Sequence, residues 1–201
     1  MSMDTLQRCS SGGGSVIGIP AELAAKWRGT LAPIGAVVPP GWSWGTPGGP
    51  VCDYDRACDK IENRVGMPYG GFGSVPVEGG LALVFEGPLN TVWVPTDEGG
   101  VVVRNAPDEM RAMDAFLELV EAVPAATWKP WPGQITLRDG RIFFWDSAME
   151  GAGDPKAIPA RDGGVAVGSP GPGTYALSTA VYNAETDDDE LEIECAKLTR
   201  V

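Results

Sequence analysis

The chain has 201 residues, a length suited to one domain or two small ones, and its 43% hydrophobic content suffices for a buried core and argues against disorder over most of it. A net charge of −12 disfavours direct binding to nucleic-acid phosphates or to an anionic membrane surface. There is no histidine, which excludes Ser-His-Asp and Cys-His catalysis, histidine-ligated zinc and histidine pH switching together.

In chain order, residues 1–14 form a polar, glycine-rich lead-in without the basic and apolar regions of a secretory signal. Ser15 to Ile19 reads as a short apolar strand. Pro20 opens a helix whose stripe of Leu23, Ala24 and Trp27 stops at Gly29. Gly29 to Cys52 is uncharged, but Pro and Gly interrupt it too often for a membrane span, and Gly35 to Pro50 reads as a loop. Asp53 to Arg64 reads as a helix with Tyr54, Ala57, Cys58 and Ile61 on one face. After a glycine-rich turn, Gly80–Glu86, Thr91–Pro95 and Gly100–Asn105 predict an antiparallel meander.

Pro107 is then expected to open a helix, with Asp108 and Glu109 at its positive end and Met110, Met113, Leu117 and Val120 on its apolar stripe. Beyond Pro124 the predicted elements are strands: Gln134–Leu137, Arg141–Trp145, Gly164–Val167, Thr174–Tyr182 and Leu191–Leu198, with Asp139-Gly140 as a hairpin turn between the first two. The expected fold class is α+β. An amino-terminal lobe of antiparallel sheet with two or three helices, residues 1–124, would pack against a smaller antiparallel β-rich lobe, residues 125–201.

Residues 1–124 carry a net −7 and residues 125–201 a net −5, yet Glu185 to Glu194 alone holds seven acids, so the rest of the second lobe is slightly positive. Within that segment Glu190, Glu192 and Glu194 alternate with Leu191, Ile193 and Cys195, the pattern of a half-buried strand. Three glutamates would then project from one face about 7 Å apart, preceded by Asp187, Asp188 and Asp189. Such a row serves either as an edge-strand guard or as a face for a basic partner. Trp42 and Trp44, on a loop rich in turns, are candidate anchors for a protein or a sugar ring, or else fold back into the core.

Catalytic motifs are absent: no P-loop, HExxH, GxSxG elbow or EF-hand loop occurs, and Pro76 takes the last glycine's place in the dinucleotide fingerprint that Gly71 and Gly73 could begin. Asp53 and Asp55 have the spacing of a metal-binding carboxylate pair, but at the start of a helix the cap and the helix dipole explain them. The four cysteines, Cys9, Cys52, Cys58 and Cys195, have neither the density of a disulfide scaffold nor zinc-knuckle spacing, and are expected to be reduced and mostly buried.

Several segments occur in a telling order: Gly13-Gly14-Ser15-Val16-Ile17, Trp27-Arg28-Gly29, Asp53-Tyr54-Asp55-Arg56-Ala57-Cys58, Gly80 to Val84, Trp93-Val94-Pro95, Phe144 to Ala148, and Pro172 to Tyr175. Across roughly residues 12–199 the chain resembles the immunity protein 21 family of bacterial polymorphic toxin systems. Ser15 and Trp145 depart from the family pattern, and Ala36–Pro50 stands as an insertion. The resemblance implies a cytoplasmic protein that binds and neutralises a cognate toxin domain stoichiometrically, without catalysis, cofactor or metal. A basic nuclease is one partner toward which the charge would steer it. The same resemblance casts Trp27, Asp53, Tyr54, Asp55, Arg56, Cys58, Asp146 and Tyr175 as structural motif residues. Glu190, Glu192, Glu194, Asp187, Asp188, Asp189, Trp42 and Trp44 are left as the candidate partner-binding set. The rival readings are a metal-dependent hydrolase using Asp53 and Asp55, and a ligand-binding module using the Trp42/Trp44 loop.

Overall fold

Two six-stranded antiparallel sheets lie face to face in the computed structural model, which describes residues 7–107, 110–159, 163–185 and 190–201. The first sheet contains β1 (Arg8–Cys9), β6 (Thr91–Thr96), β7 (Gly99–Arg104), β12 (Glu190–Arg200), β11 (Gly173–Glu185) and β8 (Lys129–Leu137), in that spatial order. The second runs β10 (Ala166–Gly168), β9 (Ile142–Asp146), β2 (Val16–Pro20), β5 (Gly80–Phe85), β4 (Gly70–Val77) and β3 (Glu62–Met67). The helices α1 (Ala21–Ala24), α2 (Asp53–Asp59) and α3 (Met113–Ala122) lie outside the sandwich, making the protein α+β.

Over the middle of each sheet both faces are covered, so β2 and β7 are buried at every position, whereas the edge strands β3 and β8 keep a side in water. In β9, Ile142 and Phe144 join the core between the sheets, while Phe143 and Trp145 meet Leu23, Ala24 and Trp27 on the outside. Across the middle Trp93 stacks on Phe144, with centroids 5.9 Å apart, and Phe72 meets Trp131 edge-on at 5.4 Å. The outer face of the first sheet, with Val92, Val94, Val101, Val103 and Ile193, is closed by Phe116 of α3.

The division at Ala125 is corrected by this topology. Strands from both sides of that point share each sheet: β7 pairs with β12, and β2 pairs with β9. The two halves are therefore interleaved by hydrogen bonds and do not form two packed lobes. Asp139-Gly140 is likewise no hairpin, because β8 pairs with β11 while β9 pairs with β2 and β10. It is a corner that hands the chain from one sheet to the other, with Gly140 at φ 80° against the backbone of Gly171 and Pro172. The expected meander also splits: β6 and β7 form the hairpin, and β5 belongs to the other sheet.

Two helices are shorter than their sequence pattern. α2 ends at Asp59, and the chain continues into β3. α3 begins at Met113, so the acids expected at its start do not occupy its first turn; Asp108 and Glu109 themselves lie outside the described residues. Among the described residues no helix is long and apolar enough to cross a membrane.

Candidate functional site

Four of the segments that carry the family resemblance, those around Gly14, Trp27, Asp53 and Asp146, meet at one place above the outer face of the second sheet, whereas Trp93-Val94-Pro95 and Pro172 to Tyr175 lie in or beside strands of the first sheet. Trp27 is fully buried and donates from Nε1 to the Ser147 carbonyl at 2.8 Å. The Ser15 and Ser147 hydroxyls, both buried, lie 2.7 Å apart. Gly29 accepts from the Tyr54 amide, and its φ of 55° lets it lie where a Cβ would be 2.3 Å from the Ala148 carbonyl oxygen. Asp146 gathers the next segment: Oδ1 accepts from the Ala148 amide and Oδ2 from the Gly12 amide, each at 2.9 Å.

The DYDRAC segment is the second hub. Cys52, not Asp53, caps α2: its Sγ accepts from the Asp55 amide, and the Asp55 carboxylate accepts in return from the Cys52 amide at 3.1 Å, a reciprocal capping box. Asp53, the first helical residue, accepts from the Arg28 amide and from Arg56 Nη1, both at 2.8 Å. Arg56 also donates to the Pro76 carbonyl. The remaining Asp55 oxygen accepts from the Gly45 amide at 2.9 Å and ties the long loop to the helix. Asp53 and Asp55 thus hold backbone and Arg56, and among the described residues no group of three or more His, Cys, Asp or Glu side chains converges to hold a metal ion.

The loop from Thr30 to Val51 is a chain of turns. Four successive i→i+3 bonds close at Pro33–Ala36, Pro39–Trp42, Ser43–Thr46 and Thr46–Gly49, each with a glycine at the third position and φ between 73° and 78°. These are type II turns, which require a positive φ there, and Pro40 and Pro47 preset the second position of two of them. The loop is accordingly ordered without a core of its own, and it leaves apolar side chains in water. Ile34 is 86% exposed, Val37 90% and Trp44 52%, with Leu31, Val38 and Val51 also exposed. The sequence reading singled out the two tryptophans and missed these aliphatic residues; the uncharged run from Gly29 to Cys52 was the signal for them. Trp42 is half-buried against Gly49, whereas Trp44 meets the Tyr54 ring edge-on, with centroids 5.0 Å apart.

Between the loop and the hub lies a cleft of about 310 Å³ lined by Gly12, Gly13, Gly14, Thr30, Trp44, Tyr54, Asp146, Ala148 and Met149. Gly14 permits it, since a Cβ there would lie 2.5 Å from the Tyr54 phenol oxygen. Burial first, then Cys58, Asp146 and Asp55, pushes the Tyr54 phenol up to about 12. Cys58 is exposed and its thiol is raised mainly by burial of the sulfur; Cys9, Cys52 and Cys195 are buried, and all four thiols are free.

The acidic row requires a correction. Glu194 does not project into solvent: it is fully buried, and its Oε2 accepts from Arg104 Nη1 at 2.9 Å. Its Oε1 accepts from the Tyr69 amide, and Arg104 Nη2 donates to the Glu86 and Gly87 carbonyls, so this pair joins the two sheets at one end of the sandwich. The face opposite Ile193 is covered by the second sheet, which the alternation could not reveal. Glu192 is half-buried. Asp187, Asp188 and Asp189 lie outside the described residues, as does the side chain of Glu190. Tyr175 is buried in the first sheet and donates to the Pro170 and Gly171 carbonyls, remote from the cleft.

No family model, curated protein or solved structure matches this chain.

Proposed function

We propose that this chain acts by stoichiometric binding of another protein, as a cytoplasmic immunity protein that occupies and neutralises a cognate toxin domain. The observation that carries this reading is the Thr30–Val51 loop. Four type II turns and the Asp55–Gly45 bond hold it in place, yet Ile34, Val37 and Trp44 remain exposed. Ordered apolar side chains kept in water are what a protein-binding surface requires, and Ile34, Val37 and Trp44 belong to none of the buried clusters beneath. Convergence of four of the resembling segments, around Gly14, Trp27, Asp53 and Asp146, beside this loop supports the family reading. Partner binding of this kind needs no catalytic group or cofactor, and the acidic surface would speed encounter with a basic partner such as a nuclease.

The test is direct. Candidate polymorphic toxin domains, beginning with any encoded next to this chain, are expressed with and without it, and the two proteins are mixed and sized. Neutralised lethality together with an equimolar complex is the expected result. Unabated lethality with both proteins folded and eluting separately overturns the proposal.

A further inference from the structure

Among the surface carboxylates, Asp146 has a distinctive setting. Among the described residues no Lys or Arg lines its cleft. Each of its oxygens accepts one backbone amide, which fixes the carboxylate in place and leaves further lone pairs on both oxygens for another donor. Two aromatic rings stand beside it, Trp44 and Tyr54, with planes 89° apart, so that they form a corner. The cleft is also preformed: Asp55 holds the Trp44 loop through Gly45, and Tyr54 is seated over Gly14.

We propose that this cleft seats an arginine side chain presented by the protein partner, an inference that rests on the reading of the chain as a binder of a protein toxin. A guanidinium is planar, stacks on aromatic faces and donates two parallel hydrogen bonds to a carboxylate. Rings and a carboxylate in one concave site satisfy each of these properties, and a lysine ammonium would use only the charge. The volume suits a side chain, and the uncharged loop that carries Trp44 supplies apolar surface, at Ile34 and Val37, to exclude water around the contact. Burial chiefly raises the Tyr54 phenol, and Asp146 and Asp55 add to the rise after Cys58. Arg28 and Arg56 are already bonded to Glu150 and Asp53 and do not compete for the cleft.

The experiment uses two probes on the isotopically labelled full chain: N-acetyl-arginine amide and its uncharged isostere N-acetyl-citrulline amide. The arginine probe should shift the Gly12 and Gly14 amides and the Trp44 indole N–H saturably, with a Kd of roughly millimolar order. The citrulline probe should not, and Trp44→Ala should abolish the response. Trp44 lies in an exposed loop, so that variant should fold; Tyr54→Phe and Asp146→Asn serve as independent checks by circular dichroism and the same titration. Equal responses to both probes, or none to arginine, overturn the inference. The toxin provides the second arm: Trp44→Ala should weaken the complex by about tenfold or more. A complex of unchanged affinity in that variant leaves the toxin reading standing and removes the cleft from the interface. Arginine recognition with no toxin binding by the parent protein does the reverse.

Discussion

Glu194 and Asp146 are both acids at the end of a strand pairing, and they meet opposite fates. Glu194 faces between the sheets, where water is excluded and its charge is tolerated only because Arg104 and the Tyr69 amide bind it. Asp146 faces the rim of the second sheet and, among the described residues, binds two amides but no cation. The first is committed to joining the sheets, whereas the second keeps acceptor capacity for a partner. Sequence charge therefore does not identify a binding face here; what counts is whether the chain has already supplied the counterion.

The largest effect tests the committed side of this comparison. Removing one member of the buried pair, by Arg104→Leu or Glu194→Gln, should cost about 3–5 kcal/mol, because the other is left uncompensated. In a chain of this size that lowers Tm by roughly 6–20 °C. The double variant Arg104→Leu/Glu194→Leu should cost less than the two single changes added together, though not zero, since the Glu86 and Gly87 carbonyls lose their donor. Strict additivity in a denaturation cycle would show that the two side chains do not act as a pair.

Two thiols extend the comparison toward alkaline pH. Burial pushes Cys9 and Cys195 up to about 12 from the ordinary 9.0; at Cys195 the neighbouring Glu194 adds to the rise, while at Cys9 Arg104 opposes it. A raised folded-state pKa means the native chain keeps protons that the unfolded chain has released. Stability is thus full below pH 9 and falls as pH rises from 9 toward about 12, with a limiting slope of about 1.4 kcal/mol per pH unit for each thiol. Urea midpoints measured in reductant from about pH 8 to about pH 11 should show this decline, and Cys9→Ala/Cys195→Ala should reduce its slope, leaving the part due to the raised Cys52, Cys58 and Tyr54. A slope untouched by that double variant assigns the decline to other groups.

On the cleft side the expected cost is smaller. Asp55→Ala removes the acceptor of both the Gly45 and the Cys52 amides, and should cost about 1–2 kcal/mol, the usual range for a lost cap. Amide exchange at Gly45 should quicken while the sheet amides stay protected. Equal quickening in both would mean that the loop is not held locally through Asp55.

Much of the strand pattern was legible from apolar runs: β2, β5, β6, β7 and β9 to β12 fall near their expected places. β3 and β4 were read as helix and turn because Gly70, Gly71 and Gly73 depress any strand signal. Gly73 is small for a reason no local pattern states, since a Cβ there would lie 2.2 Å from Ile61 Cγ2. The start of α2 at the DYDRAC segment was visible, although its cap was assigned one residue late. What stayed hidden was long-range: that β8 and β9 belong to different sheets, and that Arg104 waits opposite Glu194, ninety positions earlier in the chain. Trp44 was found as an exposed anchor, but its meeting with Tyr54, Gly14 and Asp146 joins four distant segments and follows only from the fold.

The smallest effect comes from a residue two positions before Glu194 on the same strand face. Glu192 is half-buried at the open end of β12, opposite Asn183, and its backbone carbonyl, not its side chain, accepts from Asn105 Nδ2. A lysine there reverses the charge without breaking any of those backbone bonds, and its long stem can keep the ammonium in water. Glu192→Lys should therefore change stability by no more than about 0.5 kcal/mol, as surface substitutions usually do. The same substitution at Glu194 places a second cation against Arg104 in a dry site and should prevent folding or cost more than any variant above. Side-by-side urea denaturation of the two variants measures the difference. If Glu192→Lys folds normally and still slows association with the toxin, with the loss greatest at low salt, the acidic strand contributes steering charge after all, through Glu192 and not through Glu194. An unchanged rate confines partner recognition on this strand to no more than a solvated edge, and leaves the Trp44 cleft and its loop as the surface to map.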